Sequence, residues 1–320
     1  MSRTLYVHVG PKKTGTSAIQ HALRRHDNSV IIYPKVGLWE DGSHHGLVFK
    51  FFGEPRMENR VAGDIDGLFA EIEKEAKDSE QNVLISSETL AKRDCEAFIR
   101  ALLPHVASTS MDVEILVACR EHFSRTSSLF NHKLRGGEPP DPDEFLRIHA
   151  AELCYAPLIG KLKKMPFRVV PLNYHPSETW VTRFLTHVGF PQQQIPESKI
   201  KRLALSPKAI VAKLAINNLG QPKDVKLRYY KRFEEMPESR AASKFIFGPD
   251  AAMAAEHHFS ADREFLSRDC GIHLPAPELG TQENMLFINA DEFSDIMLVA
   301  KELGPQGRKI IHFARQFLRA

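Results

Sequence analysis

Two lysines, two glycines and three hydroxyl side chains fall within the segment Gly10-Pro11-Lys12-Lys13-Thr14-Gly15-Thr16-Ser17. The residues before it, Leu5 to Val9, alternate as a strand does, and helical spacing begins at Thr16. A loop at such a junction wraps backbone N–H groups around an anion, and the start of the helix adds its partial positive charge. A tight turn with solvated lysines is the bland alternative, but the order strand, loop, amphipathic helix favours anion binding. The segment nearly fits the loop that binds nucleoside triphosphates, which needs a lysine directly after the second glycine. Thr16 holds that position, and Lys12 and Lys13 come before Gly15. Lys13 therefore approaches an anion from the leading edge of the loop. The sequence offers no obvious acidic partner for a nucleotide-bound magnesium, so a kinase or NTPase with a degenerate loop is the weaker reading.

A second constellation lies at Arg120, which follows the strand pattern Val113–Ala118, with Ser128 eight positions on in a helical stretch. An arginine fork grips two phosphate oxygens, and a hydroxyl on the next helix can donate to the same group. An arginine capping a neighbouring helix and a solvated serine are the plain alternative. Glu88, in Leu84-Ile85-Ser86-Ser87-Glu88, stands at the C-terminal end of another strand pattern, the edge where open parallel sheets bind ligands. It is a candidate general base, or a first-turn residue of a short helix capped by Ser86 or Ser87. His45 and its neighbour His44, in a polar loop, are the rival bases or acceptor contacts. His257-His258 falls in a helical pattern and reads as structural.

The strand–Lys-x-Gly-Thr-Ser/Thr–helix arrangement resembles the 5′-phosphosulfate loop of sulfotransferases that use 3′-phosphoadenosine-5′-phosphosulfate (PAPS). Bacterial-type members open with a pattern that His8, Gly10, Lys13, Thr14, Gly15, Thr16, Ser17 and Gln20 match. Pro11-Lys12 inside the loop departs from it. The resemblance spans about the first 190 residues as an order of elements and implies a P-loop NTPase-like three-layer core. It further implies that Lys12, Lys13, Thr14, Gly15, Thr16 and Ser17 hold the phosphosulfate. Arg120 and Ser128 would then hold the 3′-phosphate, and Lys13 with Glu88 or His45 would act in catalysis, without a metal. It tilts the acceptor towards a carbohydrate or glycolipid hydroxyl. Gly307-Arg308-Lys309 has the wrong order for the family's late adenosine motif, and nothing is carried over to it. A scaffold of the same fold that binds the nucleotide without catalysis is the rival from another class.

The elements around these residues alternate. Strands are expected at Leu5–Val9, Val30–Tyr33, Asn82–Ser86, Val113–Ala118 and Phe167–Leu172. Helices are expected from Thr16 and over Ile65–Lys77, Cys95–Leu103, Phe123–Leu134 and Pro176–Val188. That alternation predicts an α/β fold, a parallel sheet flanked by helices. Beyond about residue 196 helical pattern dominates, near Pro207–Leu219, Ala251–Arg268 and Gly304–Leu318. The expected organisation is a core over 1–195 and a mainly helical region over 196–320 packed on it. The loops Gly37–Asn59 and Gly136–Pro142, with aromatic Tyr33, Trp39, Phe49, Phe51 and Phe52 nearby, look like a rim for a small-molecule or glycan acceptor.

Composition sets outer limits. The chain of 320 residues is 42% hydrophobic and 26% charged, ordinary for a globular protein with a substantial core. A net charge of +3, with no basic stripe or known motif in the reading, argues against a nucleic-acid partner. Cys95, Cys119, Cys154 and Cys270 are far apart and form neither a metal pair nor a disulfide framework, so reduced thiols and a cytoplasmic setting are expected. No integral membrane segment is expected either.

Overall fold

In the computed structural model, the described residues are 3–54, 61–77, 79–107, 111–137, 141–175, 179–195, 204–241, 246–277 and 286–319. The strands are β1 (Thr4–Gly10), β2 (Val83–Ser86), β3 (Asp112–Cys119), β4 (Arg168–Asn173), β5 (Ala204–Leu205) and β6 (Arg240–Ala241). The helices begin with α1 (Thr16–Arg24), α2 (His45–Phe51), α3 (Ile65–Ala76), α4 (Cys95–Val106), α5 (His122–Arg135), α6 (Pro142–His149) and α7 (Ala156–Leu162). They continue with α8 (Thr179–His187), α9 (Pro207–Asn217), α10 (Lys223–Glu234), α11 (Pro249–Cys270), α12 (Ala290–Lys301) and α13 (Gly304–Ala314).

The chain forms two compact units, interleaved in sequence. One comprises Met1–Arg120, Tyr155–Ile200 and Phe265–Leu274; the other comprises Glu121–Cys154, Lys201–Glu264 and Pro275–Ala320.

The first unit is a parallel sheet in the order β2-β1-β3-β4, with Leu5 opposite Val83 on one side and Val113 on the other. Side chains alternate across a strand, and β1 sorts its residues accordingly. Leu5, Val7 and Val9 join a core with Leu68, Ile72, Phe98, Ile99, Ile159 and Leu162 from α3, α4 and α7. Tyr6 joins the opposite core with Ile19 and Leu23 of α1 and Trp180, Phe184 and Leu185 of α8. The fold is therefore α/β, a parallel sheet covered by helices on both faces. After β2 the chain crosses β1 to place β3 on its far side. The crevice at the C-terminal ends of β1 and β3 is thus the topological switch point, where such sheets bind ligands.

Two local expectations change. Val30–Tyr33 is no full strand: only Ile32 bridges to Val83, since the Tyr33 N–H goes to Asn28 Oδ1 at 3.0 Å and Pro34 has no N–H to continue a ladder. The expected loop Gly37–Asn59 contains α2, whose Leu47 and Val48 are buried. Pro176 and residues 138–140 of the second expected loop lie outside the described residues.

Among its described residues the second unit is mainly helical, with the antiparallel pair β5–β6 and an isolated parallel bridge between Ile288 and Leu318. Its centre is α9, in which Lys208 to Asn217 are all buried. Lys213 is tolerated there because its ammonium meets Glu234 at 2.9 Å and lies 4.0 Å from the centre of the Tyr230 ring. Among the described residues no helix is long and apolar enough to cross a membrane.

Candidate anion-binding site

The loop after β1 curls because three of its residues take left-handed backbone: Gly10 at φ 88°, Lys13 at 70° and Gly15 at 78°. The hydroxyl of the buried Thr14 donates to Pro11 O at 2.6 Å and closes the curl internally. Both glycines are also demanded by close neighbours. A Cβ at Gly10 would sit 2.7 Å from Glu88 Cβ, and one at Gly15 would sit 2.5 Å from Tyr174 Cε2 and 2.6 Å from Trp180 Nε1. Lys13 has no such freedom, and a non-glycine residue held there stores about 1 kcal/mol or more of strain. Gly15 is the N-cap of α1, whose first turn carries no acidic side chain. The first-turn amides have no partner within the helix and carry its positive end. Lys12 is exposed, and Lys13 and Ser17 are half-buried.

Glu88 opens a short 3-10 turn, Glu88–Lys92, directly after β2. Its Oε2 accepts the hydroxyl proton of Thr16 at 2.7 Å. Ser87, by position the N-cap of that turn, makes no cap bond. Its Oγ instead pairs with His45 Nδ1 and with Thr89 Oγ1, each at 2.7 Å. His45 stands at the start of α2. Burial lowers its pKa below the ordinary imidazole value, Glu88 and Asp41 oppose that shift, and Lys12 adds to it. Phe49 lies 5.8 Å from the His45 ring and Trp39 a further 5.7 Å from Phe49, ring centre to ring centre. Tyr33 is fully buried, while Phe51 and Phe52 pack against the core. Of the expected aromatic rim, only Trp39 and Phe49 flank the site.

His44 is enclosed. Its Nδ1 accepts the Ser86 N–H at 3.1 Å, which fixes the proton on Nε2 for donation to Pro34 O at 2.9 Å. Complete burial lowers its pKa to about 3. His8, whose pKa burial also lowers to about 3, shares Ser86 Oγ with Gln20 Nε2, at 2.9 and 3.1 Å. These motif residues thus lie beneath the loop as a buried polar support.

Arg120 leaves the end of β3 and donates Nη1 to the main-chain oxygen of Lys13 at 3.0 Å. Its backbone is held by Tyr155, whose hydroxyl accepts from Arg120 N and donates to Arg120 O, both at 2.8 Å. Its guanidinium carbon lies 5.4 Å from the centre of the Tyr174 ring. Lys12, Lys13, Thr14, Gly15, Thr16, Ser17, Glu88, His45 and Arg120 therefore gather at the C-terminal edge of one sheet. Ser128 is half-buried on α5, in the other unit. Tyr155 and Tyr174 escape a reading of the sequence, and Trp180 is legible only as part of the buried stripe of its helix, because no motif marks an aromatic residue that supports a loop from elsewhere in the chain.

Among the described residues no group of three or more His, Cys, Asp or Glu is arranged to hold a metal. No family model matches the chain, and no curated protein matches it either. Among solved structures, the chain is similar to a sulfotransferase from Alicyclobacillus acidocaldarius. The identity is 17% and the TM-score 0.42, over 71% of this chain and 95% of that one.

Proposed function

We propose that the chain is a sulfotransferase that moves a sulfuryl group in line from PAPS to a hydroxyl or amine of an acceptor. The observation that carries this reading is the bond from Arg120 Nη1 to Lys13 O at 3.0 Å. It joins the strand-end guanidinium of β3 to the cationic loop of β1, at the switch point of the sheet. Two linked cationic groups suit a nucleotide with one anion at its 5′ end and another at its 3′ position. A guanidinium has five N–H donors, enough to serve a carbonyl and a phosphate together.

In this reading the loop amides from Thr14 to Ser17, with the Ser17 hydroxyl, hold the 5′-phosphate. The Thr16 hydroxyl has its proton committed to Glu88, so Thr16 contributes through its backbone. Lys13, assisted by Lys12, offsets the charge that develops on the bridge oxygen as its bond to sulfur breaks. Arg120 takes the 3′-phosphate; the matching role for Ser128 rests on the resemblance alone. The acceptor oxygen forms the new bond to sulfur and passes its proton to a base. Glu88 and His45 are the candidates, and the lowered pKa of His45 keeps its imidazole neutral and able to accept. Positioning and charge neutralisation supply most of the rate, as in phosphoryl transfer. Trp39 and Phe49 offer an aromatic wall suited to a sugar ring.

The Thr16–Glu88 pair favours one second reading. A loop hydroxyl beside a strand-end carboxylate is also how P-loop enzymes hold nucleotide-bound magnesium. Thermal shifts separate the two. The sulfotransferase reading expects 3′,5′-adenosine bisphosphate to raise the melting temperature, ATP–Mg to leave it unchanged, and labelled PAPS to pass sulfate to an acceptor. Stabilisation by ATP–Mg alone would overturn it.

A further inference from the structure

The helical unit carries a cationic face that the proposed chemistry does not use. From Gly304 to Arg319 the sequence contains Arg308, Lys309, His312, Arg315 and Arg319 and no Asp or Glu. Helical spacing puts Arg308, His312 and Arg315 on one stripe, which corrects the expectation that the chain has no basic stripe. The opposite side of α13 is anchored: Gly307, Ile310 and Ala314 are buried, and a Cβ at Gly307 would overlap the carbonyl of Ala300 on α12. Arg308, Lys309, His312 and Arg315 are all exposed, and none forms an ion pair among the described residues. Arg319 lies over the Phe287 ring at 5.3 Å.

A second stripe runs along α10, where Lys223, Leu227 and Lys231 recur every fourth residue and are exposed, while Arg228 beside it is paired with Asp224 at 4.0 Å. Arg232 is shared between two acids, Glu235 at 3.7 Å and Glu302, just past α12, at 3.9 Å, and so ties α10 to the turn before α13. Large apolar side chains stand out on the same elements. Leu227 on α10, between Lys223 and Lys231 at helical spacing, is 48% exposed, and Leu318 after α13, beside Arg315 and Arg319, is 37% exposed. A soluble polyanion is bound by charge alone and gives such leucines nothing to enter. An anionic lipid surface takes both, with basic side chains at the headgroups and leucines at the acyl boundary.

We infer that the basic faces of α10 and α13, with Leu227 and Leu318, dock the protein on an anionic lipid surface. The attraction is screened by salt and falls off within a Debye length. The binding is independent of the nucleotide site and of whether transfer occurs.

The test is flotation of the full chain with vesicles of phosphatidylcholine alone or mixed with phosphatidylserine, at low and high salt. Expected is binding to the mixed vesicles only, lost at high salt. The combined change Arg308→Glu, Lys309→Glu and Arg315→Glu weakens it at least tenfold while the melting temperature holds. Leu227→Ser, which changes no charge, weakens flotation severalfold but leaves retention on a heparin column unchanged, and it stands as the test should the triple variant fold poorly. No flotation with phosphatidylserine vesicles overturns the inference. So does an equal loss of vesicle and heparin binding in Leu227→Ser, or heparin retention without any vesicle binding, which assigns the face to a soluble polyanion.

Discussion

The hydroxyl of Thr16 donates to Glu88 Oε2 across 2.7 Å, tying the first residue of α1 to the end of β2. The pair places a carboxylate within the loop proposed to receive phosphate. Like charges repel, so Glu88 opposes nucleotide binding while it holds the loop or accepts a proton. Glu88→Gln is therefore expected to tighten 3′,5′-adenosine bisphosphate severalfold at low salt and to lower turnover by about 10²-fold or more, the range for losing a general base. Calorimetry and a sulfate-transfer assay measure the two. Unchanged turnover moves the base to His45. Loss of nucleotide binding only in the presence of magnesium favours the metal–nucleotide reading.

Arg120 has two partners that a lysine cannot serve together: the carbonyl of Lys13 at 3.0 Å and the face of Tyr174 at 5.4 Å. Charge-assisted hydrogen bonds are worth about 1.5–3 kcal/mol, so Arg120→Ala is expected to weaken the bisphosphate about 10- to 100-fold. Arg120→Lys should recover only part of that. Adenosine 5′-phosphate, which lacks the 3′-phosphate, should lose much less. Equal losses for both nucleotides would falsify the assignment of Arg120 to the 3′-phosphate.

Gly15 is enclosed on the side where a side chain would grow, by Tyr174 and Trp180, and it holds φ 78°. Gly15→Ala combines backbone strain with overlap against two aromatic rings, a cost of about 2 kcal/mol or more. A lower urea midpoint with an unchanged slope is the expected signature. Nucleotide binding should fall further than stability, since Gly15 also caps α1. A variant as stable as the parent would mean that the rings move aside freely.

What could be read ahead of the structure follows from the range of the interaction involved. The sheet strands β1 to β4 and helices such as α3 and α5 announce themselves through periodicity, which is local. The turn at Glu88 was legible as a short helix, but the cap expected of Ser87 was not formed, because His45 and Thr89 claim its hydroxyl. Helix α2 is only seven residues and has no side-chain cap, so its sequence gives neither a start signal nor a full apolar stripe. The meeting of Thr16 with Glu88, and of Lys13 with Arg120, depends on the strand order β2-β1-β3. Parallel pairing across β1 is a long-range choice that no local pattern spells out. The grouping of Glu121–Cys154 with the late helices has the same origin, since Phe123, Phe130 and Phe145 find their partners on α9 and α11.

The buried imidazoles His8 and His44 give the fold an acid weakness that can be measured. Both have pKa values of about 3 in the folded protein because burial disfavours the charged ring, against an ordinary value of 6.5 in the unfolded chain. Between those values the unfolded state binds protons that the folded state refuses, so stability is complete above about pH 7 and declines as pH falls. From pH 7 to 5.5 the two rings together account for a loss of about 2–3 kcal/mol. Most carboxylates are still ionised in that window, so the histidines dominate the slope. Urea unfolding at the two pH values should show this loss, and His44→Gln, whatever it does to stability at pH 7, should remove the share of one ring, about 1 kcal/mol, from the pH-dependent part. An unaltered slope in that variant would mean that His44 takes up its proton without unfolding, against the geometry that commits both of its ring nitrogens to the backbone of Pro34 and Ser86.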